Sequence, residues 1–185
     1  MSKSDNSLFI WSASRGQIFI ITYVDDLVIG GEHIAGINNI KMLLSNKFEM
    51  KDLKELHYFL GIEVIQTLDN IMISQRHYIL NLLFKFGMTE CTHVSTPLDR
   101  NLKLDADSGT TEYELTHYRQ LVGSLIYITI TRPYLNYLVG LLSQFMQTPR
   151  DIHLDYAKRV LRYMSNTMDY DILYKSSTPI RHSQL

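Results

Sequence analysis

The stretch Ile18 to Val24 reads IFIITYV, and two carboxylates, Asp25 and Asp26, follow it directly before LVIGG. The first run is β-branched and aromatic and too short for a typical helix, so it reads as a buried strand. With Leu27-Val28-Ile29 behind the acids, the whole reads as strand, acidic tip, strand, a hairpin candidate. Any fold for this chain has to place an adjacent acid pair between two apolar strands.

Downstream, Ile37, Ile40, Leu44 and Phe48 recur at helical spacing with Lys41 and Lys47 off the stripe, which predicts an amphipathic helix over residues 33–46. Tyr58–Ile65 and Ile71–Ser74 read as two strands, with Leu68-Asp69-Asn70 supplying turn chemistry. A helix is expected from about Gln75 to Phe86, with Gly87 just past its end. Residues 99–114 hold five acids, two bases and few large apolar side chains, and read as an acidic linker. Thr111 and Glu114 have capping-box spacing for the next helix. Tyr118, Leu121, Val122 and Leu125 then form one helix face, and Pro133 interrupts after Thr131-Arg132. Leu135, Leu138, Leu142 and Phe145 stripe a second helix that stops before Pro149, and Ile152, Tyr156, Val160 and Met164 stripe a third. The tail from Ser176 is polar and reads as loose. Strands and helices mix over residues 1–98 and helices dominate 115–175, so the expected class is α+β.

Charge divides in the same place. The net charge of −1 conceals 10 Lys/Arg against 15 Asp/Glu in residues 1–114, a net of −5, and 8 against 4 in residues 115–185, a net of +4. From Leu115 to Arg150 there is no carboxylate. The asymmetry reads either as two subdomains with different partners or as chance, since such a field acts on binding rather than on fold. A hydrophobic content of 45% with only 9 Gly and 4 Pro in 185 residues excludes a disordered or collagenous chain. The single cysteine, Cys91, rules out an intramolecular disulfide and fits a reducing compartment. No apolar run approaches the roughly 18–20 residues of a membrane helix, and the first residues lack a secretory core, so no membrane partner and no secretion are expected.

The acid pair carries the most chemistry. Ionised carboxylates buried without partners are unfavourable by several kcal/mol, and neighbouring like charges raise each other's pKa. A divalent cation removes both problems, and Mg²⁺ takes carboxylate oxygens while completing its shell with water and substrate phosphates. From the residues alone the alternative stays open: an exposed turn in which aspartate is merely a favoured residue.

Tyr23-Val24-Asp25-Asp26 resembles the YVDD motif at the catalytic hairpin of the reverse-transcriptase palm. The segments Phe48–Leu53, Tyr58–Glu63, Ser74–Tyr78, Tyr118–Gly123 and Leu125–Tyr127 resemble the copia-type LTR retrotransposon reverse transcriptase. So do Thr131–Pro133, Ser143–Met146 and Leu161–Tyr163, in that family's order and spacing, and the resemblance spans roughly residues 4–175.

That resemblance implies a partial polymerase palm over residues 1–98, antiparallel strands with helices, then the linker and a helical thumb-like or connection-like subdomain over 115–175. It implies RNA-directed DNA polymerisation, a nucleotidyl transfer by two metal ions, one at the primer 3′ hydroxyl and one at the leaving pyrophosphate. By similarity Asp25 and Asp26 are the catalytic metal ligands, for Mg²⁺ or Mn²⁺, and Tyr23 and Val24 lie beside the incoming nucleotide or template. Lys51 is a candidate proton donor to pyrophosphate; the alternative is a solvated lysine. Phe59, Leu60 and Gly61 belong to a segment resembling the hairpin that grips the primer; the alternative is a plain core strand. The implied partners are an RNA/DNA primer–template, deoxynucleotides and the rest of a polyprotein. In the family, an aspartate on an earlier palm strand completes the metal set, the fingers also precede the motif, and a ribonuclease H domain follows. With 24 residues ahead of the acid pair, the expectation is a fragment with weak metal binding, no organised nucleotide site and no polymerase activity of its own. The intact family enzyme works in cytoplasmic virus-like particles. Tyr134 departs from the family, which usually has Asp after Thr-Arg-Pro; an Asp capping the next helix would be worth roughly 1 kcal/mol.

Lys158, Arg159 and Arg162 fall within one helical turn, off the Ile152/Tyr156/Val160 stripe. On a thumb helix they would contact phosphates, sequence-independently and with strong salt dependence. With Asp151 and Asp155 in the same helix, an ordinary solvated face is the alternative. Two further readings follow, a non-catalytic nucleic-acid-binding thumb remnant and an inert relic of a degenerate insertion. Cys91 and His93 lack partners at zinc spacing, and Gly30-Gly31 lacks the pattern of a phosphate loop. Most of the 12 tyrosines fall on apolar helix faces, which favours core packing over base stacking.

Overall fold

The computed structural model describes residues 5–13, 16–68, 70–99, 104 and 115–175. Among the described residues, five α-helices and two antiparallel sheets make the class α+β. The chain forms two compact units, Met1–Leu56 and His57–Leu185. Most of the expected linker, including Thr111 and Glu114, lies outside the described residues, as do Asp69 and the tail from Ser176.

In the first unit, strands β1 (Leu8–Ala13), β2 (Gly16–Tyr23) and β3 (Asp26–Gly31) lie side by side in chain order. Helix α1 (Ile34–Ser45) follows, within a residue of the predicted span, and the His33 Nδ1 caps it by accepting the Gly36 N–H at 2.7 Å. The register pairs Ile18 with Gly31, Ile20 with Ile29 and Tyr23 with Asp26. Side chains alternate between faces, so Ile18, Ile20 and Ile29 share one face, and Phe19, Ile21 and Tyr23 share the other. Ile18 is fully buried because Gly36 lets α1 settle onto it; a Cβ at Gly36 would fall 2.7 Å from the Ile18 Cδ1. Phe19, Ile21 and Tyr23 are exposed. The expectation of a buried strand at Ile18–Val24 is thereby corrected. Apolar residues on both faces fit a strand covered on both sides, yet among the described residues of the first unit α1 packs on the Ile18 face alone.

In the second unit, β4 (Tyr58–Phe59), β5 (Ile62–Gln66), β6 (Asn70–Ser74) and β7 (Ile172–Lys175) form one sheet in that order. Tyr58–Ile65 is therefore not one strand, since the chain reverses at Leu60-Gly61. Helix α2 (Arg76–Lys85) ends where expected, and the Met88 N–H returns to the Leu83 carbonyl at 2.7 Å. Then come α3 (Leu115–Ile128), a 3₁₀ turn at Pro133–Leu135, α4 (Asn136–Ser143) and α5 (Asp151–Asn166).

These four helices share one core, centred on Leu83, Leu121, Leu125, Leu142 and Leu161. Tyr118 is fully buried, and its hydroxyl donates to the Leu142 carbonyl at 2.8 Å, tying α3 to α4. Burial pushes that hydroxyl's pKa well up. On α5 the buried face is Leu154, Ala157, Val160, Leu161 and Met164, while Ile152 and Tyr156 are only half-buried. The face is rotated from the expected stripe because His153 goes inside. Its ring stacks on Phe145 at 4.0 Å, and its Nδ1 accepts the Arg150 N–H at 3.0 Å, so the polar side chain is buried with a partner. Among the described residues no helix is long and apolar enough to cross a membrane.

Candidate functional site

β2 and β3 are joined by the two-residue turn Val24-Asp25, closed by the pair Tyr23 and Asp26. Asp26 is thus the first residue of β3, and the acidic tip is Asp25 alone. Tyr23 is in register with Asp26 and shares its face. Val24 takes a φ of 48°, where a two-residue hairpin ordinarily needs glycine. A left-handed β-branched residue is strained by about 1–2 kcal/mol, and Val24 is 86% exposed, so little packing offsets it. Val24→Gly is expected to raise stability by about 0.5–1 kcal/mol, the strain relieved less the added freedom of glycine in the unfolded chain. Urea unfolding reads this, and an unchanged or lower midpoint would mean that the turn is not strained.

Asp25 and Asp26 are both exposed. Water already solvates them, so the desolvation that would by itself call for a cation is absent, and the case for metal binding rests on donor chemistry. Among the described residues, no three His, Cys, Asp or Glu side chains are grouped to hold a metal ion. Two neighbouring carboxylates fit part of a Mg²⁺ shell and not the whole of a two-ion site. Lys51 is exposed in the irregular segment after α1. Its neighbour Asp52 fastens that segment, accepting the Lys54 N–H at 2.8 Å and the Lys41 Nζ at 3.1 Å. These bonds, the backbone one first, hold the Asp52 carboxyl below the usual aspartate range.

In the second unit, the β4–β5 turn has Leu60 at φ 52° and Gly61 at φ 86°, both left-handed as a type I′ turn requires. The Tyr127 hydroxyl donates to the Leu60 carbonyl, and its ring meets Tyr78 edge-on at 5.0 Å. At the base of the hairpin Glu63 faces the start of α2. One oxygen accepts the His77 N–H at 3.0 Å and the other lies 2.9 Å from the His77 Nδ1. Burial pushes the Glu63 carboxyl up, but its His77 contacts together with the nearby Arg76 charge outweigh that and hold it below the usual range. Sequence reasoning missed Glu63 and Tyr127, since nothing in their spacing shows what they touch.

Lys158, Arg159 and Arg162 are half-buried on α5. The Arg159 Nη2 donates to the Thr96 hydroxyl at 3.2 Å, and the three ion pairs found among the described residues involve none of these cations. Cys91 and His93 converge on the Ser165 hydroxyl, at 3.6 and 2.7 Å. That hydroxyl donates to the Arg162 carbonyl at 2.7 Å, so it accepts from the imidazole and acts as a fastening. Arg132 is 1% exposed, with long contacts of 3.4 Å to the Tyr134 hydroxyl and the Met168 carbonyl, and it lies over the Tyr170 ring at 5.6 Å. Among the described residues its Nε has no hydrogen-bond partner. Tyr134 lies inside the 3₁₀ turn, and Arg132 is the residue that precedes that turn, so position 134 is not a helix cap.

Residues 1–100 match the family described as reverse transcriptase (RNA-dependent DNA polymerase). The chain is 41% identical over 179 residues to the retrovirus-related Pol polyprotein from transposon RE1 of Arabidopsis thaliana, covering 97% of this chain and 12% of that polyprotein. It is 34% identical over 172 residues to the retrovirus-related Pol polyprotein from transposon TNT 1-94 of Nicotiana tabacum, covering 88% of this chain and 13% of the polyprotein. An uncharacterized mitochondrial protein of Arabidopsis thaliana is 36% identical over 162 residues, with 86% of this chain and 67% of that protein covered. The chain thus spans about an eighth of the two polyproteins. No solved structure matches it.

Proposed function

This chain belongs to the reverse transcriptase (RNA-dependent DNA polymerase) family, and from that premise we propose that it is part of a copia-type retrotransposon polymerase, carrying a portion of the palm followed by a thumb-like helical region. The observation that carries the reading is the acid pair, with Asp25 at the tip of a two-residue hairpin and Asp26 beside it on the sheet, inside the stretch that matches the family. Asp25 is the first-choice ligand for Mg²⁺ or Mn²⁺, with Asp26 beside it. The ions, when bound, supply charge stabilisation to the primer hydroxyl and the leaving pyrophosphate. Tyr23 and Val24 border the nucleotide or template, and Lys51 is the proton donor to pyrophosphate. The Phe59-Leu60-Gly61 turn contacts the primer, and Lys158, Arg159 and Arg162 meet duplex phosphates.

Two carboxylates on one hairpin cannot easily hold two ions about 4 Å apart in octahedral shells. Among the described residues no third ligand joins them, so on this reading the rest of the polyprotein supplies a third carboxylate and the elements that orient the nucleotide, and no polymerisation is expected from the chain by itself. The test is primed-template incorporation by the purified chain with Mg²⁺ or Mn²⁺, beside Asp25→Ala. The expected result is no signal above the variant. A signal abolished by the substitution would mean that the metal set is complete within the chain or between two copies.

The three α5 cations outside any described ion pair favour a second reading, a module that holds duplex and does no chemistry. Retention on duplex at low salt that disappears at moderate salt marks that behaviour, and no retention at either marks an inert relic.

A further inference from the structure

We infer that Tyr127 is a positioning residue that fixes the Leu60-Gly61 turn in the conformation presented to the primer strand; the inference rests on the proposed primer contact of that hairpin. The hairpin has little to hold it in shape. Its ladder has two pairs, Tyr58 with Glu63 and Phe59 with Ile62, and β4 is the edge of its sheet. So short a ribbon is not self-sustaining in water, and its turn places a leucine at a left-handed φ of 52°.

What holds the turn comes from the helices. The Tyr127 hydroxyl donates to the carbonyl of the strained residue, Leu60. The Tyr127 and Tyr78 rings close over Gly61, so that a Cβ there would lie 3.5 and 3.6 Å from them. The Tyr127 carbonyl in turn accepts from the Gln75 Nε2 at 3.3 Å, and the buried Gln75 is fixed by the Thr131 hydroxyl at 2.7 Å. A continuous set of contacts thus runs from the end of α3 to the tip of a hairpin that leaves Leu60 38% exposed. Tyr127 is only half-buried and lies outside the helical core, so its hydroxyl can be removed without opening that core.

Tyr127→Phe removes that one oxygen. In the full chain it is expected to speed amide exchange at Phe59 and Ile62 about 5-fold and to weaken binding of an RNA–DNA hybrid at low ionic strength about 5-fold, the scale of one net hydrogen bond. The thermal midpoint should fall by no more than about 4 °C. Leu60→Asp runs beside it, because it sets a negative charge against phosphate at the tip while leaving the Tyr127 bond to the backbone in place. Weakened hybrid binding in both variants, with faster exchange in Tyr127→Phe, supports the inference. If Leu60→Asp weakens binding and Tyr127→Phe does not, the hairpin touches nucleic acid but Tyr127 does not position it, and the inference is overturned alone. If Leu60→Asp binds like the parent chain, the primer contact and the inference fall together. A drop of more than about 10 °C in Tyr127→Phe would assign the residue to folding, which also overturns it.

Discussion

Asp25→Ala should lower nucleotide incorporation more than about 100-fold in a chimaera whose Pol polyprotein from transposon RE1 carries these 185 residues in place of its matching segment. The chimaera supplies what the chain by itself does not, the rest of a related polyprotein. Removing a group that only orients a metal ligand already costs 10–100-fold, so a direct ligand has to cost more. Position supports the choice of Asp25 over Asp26, since Asp25 sits in the turn while Asp26 is held in the ladder opposite Tyr23. Asp155→Ala, an exposed acid on α5, is the control and should be neutral. If Asp25→Ala retains more than a tenth of the activity of an active chimaera, the hairpin is not the metal-holding element.

Arg132→Met should stabilise the fold by about 2 kcal/mol, read from urea unfolding of the full chain. The guanidinium is removed from water, and its Nε has no hydrogen-bond partner among the described residues. No ion pair involving Arg132 occurs among the described residues. Its contacts to Tyr134 and Met168, at 3.4 Å, are at the limit of a hydrogen bond, and it lies over the Tyr170 ring at 5.6 Å. A buried charge so weakly compensated is often improved by an apolar side chain of similar volume. A loss of more than about 1 kcal/mol would show that these neutral partners satisfy the cation better than their distances indicate. An increase would show that the arginine is retained against the stability of the chain.

Period was enough to place α1 and the buried face of α3, because Ile37 and Leu121 repeat on single stripes, and the stop signal at Gly87 marked the end of α2. The acid hairpin was legible too, since two short apolar runs flank the carboxylates. Its details were not. A turn at Val24-Asp25 contradicts local preference, because valine avoids the backbone that the turn needs. The reversal at Leu60-Gly61 was hidden for the same reason, with a leucine holding one of two left-handed positions. His153 escaped because the stripe was drawn through apolar residues alone, and its ring's stacking and hydrogen-bonding partners lie outside that pattern. At the candidate site, the family motif names Asp25 and Asp26, but the roles of Glu63, Tyr127 and Arg132 depend on residues distant in the chain, which a linear pattern does not display.

The pairing of β6 with β7 sets an order of events during synthesis. Ile73 waits for Ile172, about 100 residues further along the chain. At about 5–20 residues per second, the outer edge of β6 stays bare for roughly 5–20 s after it leaves the ribosome. An unpaired edge is a template for another chain, so this interval is when nascent copies are most prone to join one another. Four residues near the far end of the described chain, Ile172–Lys175, close that window.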